Sequence, residues 1–503
     1  MAIKYNIKGA TTTLPSTELV VLFWNKEHID LLPKDKNFIM KTLERFSAKG
    51  ESGEYVPVNY STNGKNRIVF MVGMGQNPGL DVFRRGVAAS VQYAKQIAVR
   101  DLSIVAPDNF KDGYEIGMAC VEGVELGGYV FLKYQVESAK IDRERSIQNV
   151  DLFVSRGLNA GALRGIKMGK VYVEATIVAR DLVNEPARHS WPEDLAEVAR
   201  QLARNSEGRI FTEILDRKEC EKRGMGAFMA VAQGSTHDPY FIHLFYQPLA
   251  KKPTNELPVV ALIGKGITFD SGGLSIKPAE SMETMKVDMA GAATVLGVFS
   301  VLEKIQPDVL LHGYIAACEN MPSGSAMKPG DIVTTQSGKT VEIRNTDAEG
   351  RLTLADAISE SLKVKPDAVI DLATLTGACV VALGEDIAGL FSNNKTLAQQ
   401  FMFAAEKEGE QIWEMPLAND YRQLVKSQVA DLRNISLKRW GGAITAALFL
   451  ESFVDGRPWI HLDIAGPAYT EHQTSPVNPF GASGFSTRTV LRYLENVELK
   501  SKQ

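Results

Sequence analysis

Short apolar runs alternate with amphipathic segments along the whole chain. In the first third, Glu18–Trp24, Arg67–Val72 and Leu102–Ala106 are short and aliphatic or aromatic, and read as strands. Arg85–Val99 carries its apolar residues at helical spacing. This alternation predicts a small α/β domain over residues 1–150. Lys140–Asn149, with Asp142, Arg143, Glu144 and Arg145 in succession, reads as an exposed connection. From Asn159 to Val183 the period turns helical, with Leu163, Ile166, Val173, Ile177 and Val178 among the apolar positions. Pro186 cannot continue a helix, so a linker over 151–184 contains a long helix ending near Asn184-Glu185-Pro186. Ser190-Trp191-Pro192-Glu193 matches a capping box, with Ser190 as N-cap and Glu193 at N3, for a helix reaching about Ala203.

The alternation continues through residues 185–503. Val259–Gly264, Val309–Ala316, Ala368–Thr374 and Trp459–Ile464 read as strands. Asp288–Ile305, Leu352–Leu362 and Gly442–Val454 read as helices. The pattern predicts a larger three-layer α/β/α domain on a mixed, mostly parallel sheet. A chain of 503 residues exceeds what one core covers, which agrees with two domains.

Composition narrows the function. The formal charge of −4 gives no global attraction to nucleic acid or anionic membrane. Cys120, Cys220, Cys318 and Cys379 lie far apart, without a CxxC pair, so neither a disulfide framework nor a thiolate zinc site is expected. The first residues lack a charged start followed by an apolar signal core, and no apolar run reaches the roughly 18 residues of a membrane span. A cytoplasmic protein is expected.

The chemistry gathers after the apolar run Leu257–Ile263. Lys265, Asp270, Lys277 and Asp288 crowd the segment that follows, where the carboxyl edge of an α/β sheet binds ligands. Asp347 and Glu349 lie two residues apart, so an extended segment would point both to one side. Four converging carboxylates need a compensating cation. With no histidine or cysteine nearby they make a hard, oxygen-rich site suited to Mg²⁺ or Mn²⁺, and Zn²⁺ also accepts carboxylates. Their charge balances two divalent ions, which can lower the pKa of a shared water and polarise a carbonyl or phosphoryl oxygen. Lysines beside such ions are either neutral amine ligands or ammonium groups that stabilise an oxyanion, and Lys265 and Lys277 could divide these tasks. The planar fork of Arg351 can hold a carboxylate-like anion. From spacing alone the two lysines read first as solvated loop residues, and Arg351 as readily as a surface ion pair. Residues 264–269, GKGITF, lack the glycines of both a P-loop and a dinucleotide fingerprint, and no GxSxG serine elbow accompanies these loops. The seven histidines are scattered; His461, next to Asp463 on a strand, is the least dismissible and reads equally as a satisfied core residue.

Asn345-Thr346-Asp347-Ala348-Glu349-Gly350-Arg351-Leu352 matches the eight-residue signature of the leucyl aminopeptidases, the dimetal cytosol aminopeptidase family. Gly264–Gly273, Lys277-Pro278, Met285–Met289, Asp371–Ala378, Lys426–Asn434, Gly441–Ala447 and Trp459–Gly466 are similar to further stretches of that family. The resemblance covers residues 170–500; the first third shares only length and βα pattern. It implies a metal-dependent exopeptidase that removes leucine-like N-terminal residues. Lys265, Asp270, Asp288 and Glu349 would hold a tighter ion, and Asp270, Asp347 and Glu349 an exchangeable one, with the Asp347 carbonyl assisting. Lys277 would polarise the scissile carbonyl, and Arg351 would hold a bicarbonate acting as general base. The free α-amine of the peptide would ligate one metal. Met285, Thr374, Gly377 and Ala465 match positions lining the pocket for the first side chain. The family implies a homohexamer; that no membrane partner is expected follows from the absence of a span-length apolar run. A different dimetal hydrolase, such as a phosphoesterase, and a nucleic-acid-binding accessory role for the first domain are the competing readings.

Overall fold

The computed structural model describes residues 2–497 except 12, 26–35, 63–64, 77 and 250–255. Residues 1–173 with 471–480 form one unit, and residues 174–470 with 481–503 the other. The long helix Asn159–Asn184 runs from the first into the second.

The first unit is built on strands Lys4–Gly9 (β1), Leu19–Trp24 (β2), Tyr55–Thr62 (β3), Lys65–Gly73 (β4), Asp101–Val105 (β5) and Asn149–Val154 (β6). Their spatial order is β1-β6-β5-β2-β4-β3, and only β3 is antiparallel to its neighbour. Central β2, LVVLFW, is buried at every position, as a strand covered on both faces must be. On one face Val20, Leu22 and Trp24 pack with Ile39 and Leu43 of helix Lys36–Arg45. Helices Leu80–Gln96 and Gly113–Gly128 pack against each other.

Two local expectations change. Where an exposed connection was read over 140–149, residues Val136–Arg145 form a helix. It is exposed as expected, with no buried residue, so it has no apolar stripe for periodicity to detect. Its Asp142 is tied to Lys95 at 2.5 Å. The helix after the linker begins one residue later than the capping box implied, with Trp191 at the N-cap and Pro192 as its first residue. Asp194, not Glu193, reaches back, its Oδ2 accepting from the Trp191 N–H at 2.8 Å. Ser190 instead ends the preceding 3₁₀ turn Ala187–His189.

The second unit holds strands Ile210–Leu215 (β7), Tyr240–Tyr246 (β8), Val259–Asp270 (β9), Leu310–Asn320 (β10), Ile332–Thr334 (β11), Thr340–Glu342 (β12), Ala368–Ala373 (β13), Ile387–Ser392 (β14), Gln411–Glu414 (β15), Leu432–Arg433 (β16) and Trp459–Asp463 (β17). Eight of them form one sheet in the order β15-β14-β17-β13-β9-β10-β8-β7. Its central neighbours β17, β13, β9 and β10 are parallel, whereas β14/β17, β10/β8 and β8/β7 are antiparallel. Helices Ala290–Phe299 and Gly350–Ser361 both pack on β9 but belong to separate helix layers, the first with Thr487–Glu495 and the second with Gly226–Ala232 and Gly442–Glu451. This is a mixed α/β sheet between two helical layers. Residues 279–305 contain a window apolar enough to cross a membrane, but 83% of it is buried inside the fold, so it is core.

The central strand is longer than its apolar run. β9 continues past Gly264 to Asp270 because β10 pairs with it along that whole length, with an irregularity between Cys318 and Glu319. On its other side β13 pairs only as far as Gly264. Lys265 and Asp270 therefore stand on a strand, not on a loop beyond it. The chain crosses to β10 on one side of β9 and later to β13 on the other, so the carboxyl end of β9 is a topological switch point, where such sheets open a crevice. Asp288 likewise sits on a 3₁₀ turn, Met285–Met289, and the α-helix starts at Ala290.

Close backbone approach holds this centre together at Gly291. A Cβ there would lie 2.0 Å from the Leu372 carbonyl oxygen and 2.8 Å from the Lys265 nitrogen. Gly291→Ala should therefore destabilise the protein. The gain of about 1 kcal/mol in helix propensity is outweighed by the ~1–3 kcal/mol that overpacking against rigid backbone costs. A denaturation midpoint equal to or above that of the parent would contradict this.

Candidate metal centre

Four segments bring the acidic residues together. Lys265 and Asp270 come from the second half of β9. The chain then reverses through Gly272 and Gly273, at φ +85° and +62°, conformations that suit glycine. Lys277 returns to the strand end, its N–H donating to the Ser271 carbonyl at 3.0 Å. Asp288 projects from the 3₁₀ turn. Asp347 lies in a turn closed by Ala348 N–H to Asn345 C=O at 3.3 Å, and Glu349 leads into helix Gly350–Ser361. The extended geometry expected for 347–349 is absent; the turn and the helix start converge the two carboxylates instead.

Two lysines interleave with four carboxylates. Lys265 Nζ lies 2.7 Å from Asp288 Oδ1 and 3.0 Å from Glu349 Oε1, and donates to the Thr374 carbonyl at 3.0 Å. Lys277 Nζ lies 2.9 Å from Asp270 Oδ2 and 2.6 Å from Asp347 Oδ1. One oxygen from each of Asp270, Asp347 and Glu349 falls within 4.8 Å of the others. Burial raises the pKa of Asp288 well above the usual carboxylate range, and Asp270 and Glu349 add to this against the opposing pull of Lys265. Burial, then Asp270, also raises Glu349, and burial raises Asp347. Burial alone would lower both lysines, but Asp288 and Glu349 around Lys265, and Asp270 and Asp347 around Lys277, reverse the sign and hold them above the ordinary lysine value.

The donor set fits divalent metal ions. Asp288 Oδ2 and Glu349 Oε2 are buried with no hydrogen-bond partner, a costly state for carboxylate oxygens. Hard oxygen donors with such unused lone pairs, still negative after two ammonium groups are counted, are what divalent cations take.

Neighbouring polar residues hold this set in place; of these, Asn320 lies outside every motif in the sequence, and Thr374 matches one only as a pocket residue. Asn320 Nδ2 donates to Asp270 Oδ1 at 2.8 Å and to the Thr346 carbonyl at 3.1 Å. Thr346 Oγ1 donates to the Gly272 carbonyl at 2.6 Å and accepts from Ser275 N–H at 2.7 Å, and Ser275 Oγ accepts from Thr346 N–H at 3.1 Å. Thr374 Oγ1 donates to Asp288 Oδ1 at 2.8 Å. Asp463 accepts from Thr376 Oγ1 at 2.7 Å and from the N–H groups of Leu375 and Ala465 at 3.2 Å each. Asn320 faces Asp270 across the β9/β10 ladder, a signal that exists only once the register is known.

A cleft of about 600 Å³ opens above the acidic cluster. Lys265, Asp270, Lys277, Asp288, Asp347, Glu349 and Arg351 all line it, as do Met285, Thr374, Gly377 and Ala465. Arg351 is buried, and that burial lowers its guanidinium to about 10 against the pull of Glu349 and Asp463. Its Nη1 donates to the Asn434 carbonyl at 2.8 Å, while its Nε has no partner. No histidine among the described residues lines the cleft. His461 is buried in the sheet, its Nδ1 2.6 Å from Asp371 Oδ1, and His243 pairs with His312 at 2.9 Å.

Comparison with known proteins agrees with this centre. The catalytic domain of the cytosol aminopeptidase family matches residues 177–491, and the family's N-terminal domain matches residues 35–138. The second match extends the likeness into the third of the chain where motifs show only length and pattern. A probable cytosol aminopeptidase of Persephonella marina is 45% identical over 457 residues, 89% of each chain. One from Aquifex aeolicus is 44% identical over 460 residues, covering 90% of this chain and 89% of its own. The structure of a tomato leucine aminopeptidase mutant superposes with a TM-score of 0.87 at 34% identity, over 99% of this chain and 97% of its own. The bottromycin maturation enzyme BotP, in complex with Mn, does so with a TM-score of 0.82 at 32% identity, over 95% and 99%. By sequence, by fold and by the acidic cleft at its switch point, the chain belongs to the cytosol aminopeptidase family and is a metal-dependent aminopeptidase.

Proposed function

We propose that the enzyme removes leucine-like residues from the free N-terminus of peptides, with two divalent ions per subunit and bicarbonate as general base. The observation that supports this is the convergence of Asp270, Asp347 and Glu349 oxygens within 4.8 Å beside the unpartnered oxygens of Asp288 and Glu349. When bound, such ions polarise a carbonyl and lower the pKa of a bound water. Asp270, Asp288 and Glu349 would hold the tighter ion together with Lys265, whose ammonium must first give up its proton to serve as an amine ligand, and Asp270, Asp347 and Glu349 the exchangeable one. Mn²⁺ is the first ion to test, since hard oxygen donors suit it and a related structure contains it, followed by Zn²⁺ and Mg²⁺.

The chain's own groups account for the rest. Lys277 reaches into the cleft between Asp270 and Asp347, where an ammonium can donate to the scissile carbonyl oxygen as charge develops on it. Arg351 spends one donor on Asn434 and keeps the remaining edge of its fork for a small planar anion. Bicarbonate held there would serve as the base that the cleft's side chains do not provide. An internal peptide bond presents no basic nitrogen to this acidic end, which restricts cleavage to chain ends. Met285, Thr374, Gly377 and Ala465 would receive the first side chain. The enzyme would work in the cytoplasm as a homohexamer assembled with help from residues 1–150, with 151–184 as linker; mass photometry reading six chain masses tests the assembly.

Leucine p-nitroanilide should be hydrolysed with Mn²⁺ present and not after chelation. Asp347→Ala and Glu349→Ala should each lose more than the ~10–100-fold that outer partners of a metal site cost, with the fold retained by circular dichroism. Unchanged rates in both variants would defeat the ligand assignment. The pocket makes a separate prediction at Gly377, where an added Cβ meets nothing within 4 Å. Gly377→Val should leave stability within ~0.5 kcal/mol. It should lower kcat/KM for leucine relative to alanine substrates by about tenfold or more, as lost methylene-sized space does. An unaltered ratio would remove Gly377 from the pocket.

A further inference from the structure

Asn434 follows β16 and is wholly buried. Its carboxamide spends its full hydrogen-bonding capacity on one neighbour, the turn that carries Asp347. Oδ1 accepts from the N–H groups of Arg344 at 2.8 Å and Asn345 at 3.4 Å. Nδ2 donates to the carbonyls of Asn345 at 2.6 Å and Ala348 at 3.3 Å. The main-chain carbonyl of Asn434 then accepts from Arg351 Nη1 at 2.8 Å, the one hydrogen bond of that guanidinium among the described residues. The next residues, Ile435 and Ser436, line the cleft.

We propose that Asn434 is a positioning residue that holds the acidic turn and the Arg351 guanidinium in one frame and joins that frame to the cleft wall beginning at Ile435. The proposal rests on the reading of Arg351 as the holder of bicarbonate. Asparagine suits the position chemically. The turn offers two N–H donors and two carbonyl acceptors, and a carboxamide answers both kinds from one short side chain. Aspartate matches its shape but has no donor for the two carbonyls. Glutamine is a methylene too long, and alanine removes all four bonds, leaving the Arg344 and Asn345 N–H groups and the Ala348 carbonyl without this partner while the Asn345 carbonyl keeps only the Ala348 N–H. Arg351 is reached through the main chain of the same residue, so any shift of Asn434 moves the turn and the guanidinium together. Displacements of about 1 Å far from the reacting atoms can cost ~100-fold in rate.

The test uses the full-length, Mn²⁺-loaded enzyme with Asn434→Asp and Asn434→Ala, and measures melting, kcat and KM for leucine p-nitroanilide, and the rate against added bicarbonate. In both variants kcat per folded molecule should fall about 10–100-fold, as for outer partners of metal sites. KM should change little, and the bicarbonate concentration giving half-maximal rate should rise several-fold. If the alanine variant does not fold, Asn434→Asp carries the comparison, since it keeps the side chain's shape and acceptor and exchanges the donor pair for a carboxylate oxygen facing the two carbonyls. A parent enzyme indifferent to bicarbonate overturns the reading of Arg351, and this proposal with it. A bicarbonate-dependent parent whose half-maximal concentration and kcat are matched by a folded variant overturns the role of Asn434 alone.

Discussion

Repulsion among Asp270, Asp288, Asp347 and Glu349 is the constraint around which this chain is arranged. Two like charges about 4 Å apart cost about 4 kcal/mol at the effective dielectric of a protein site, against about 1 kcal/mol for an ordinary hydrogen bond. Several such pairs in one buried pocket exceed anything local geometry can offset. The lysines lessen the repulsion, each bridging two carboxylates, but two negative charges remain. The pocket is therefore built for added cations, and its raised carboxyl groups record the strain of gathering acids in a dry place.

The sheet supplies that place. β9 is flanked by β10 along its whole length but by β13 only to Gly264, and the uneven end leaves room beside Lys265. Glycine at 291 lets helix backbone touch strand backbone, which brings Asp288 over the strand end. Asn320, Thr346 and Ser275 then fasten the β9 turn to the turn that carries Asp347. Each of these contacts joins segments at least 26 residues apart in the chain. The centre is thus a product of strand order before it is a product of motif.

The first unit follows simpler rules. Its sheet is apolar at the centre, and no metal-ligating cluster forms in it among the described residues. Core positions tolerate many apolar substitutions at similar volume, so a motif has little to hold there. The family's N-terminal domain matches residues 35–138 although no short motif is legible in that stretch.

What the sequence determined by itself was local: the apolar runs of β2, β9, β13 and β17, the long linker helix, and the acidic and basic residues that line the cleft. These were legible because burial demands apolar runs, and because binding a hard cation demands carboxylates, whatever the surrounding fold. Other features were decided by tertiary structure. The extension of β9 to Asp270 needed β10 beside it, since no local propensity favours strand through Gly264-Lys265-Gly266. The convergence of Asp347 and Glu349 arose from a turn, not from extended alternation. The helix Val136–Arg145 buries no side chain and so left no periodic trace. Asn320 and Asn434 are ordinary polar residues in sequence; partners 50 residues from one and 83 from the other give them their meaning. Hydrogen bonds between distant segments depend on register, and register is settled only when the whole sheet has formed.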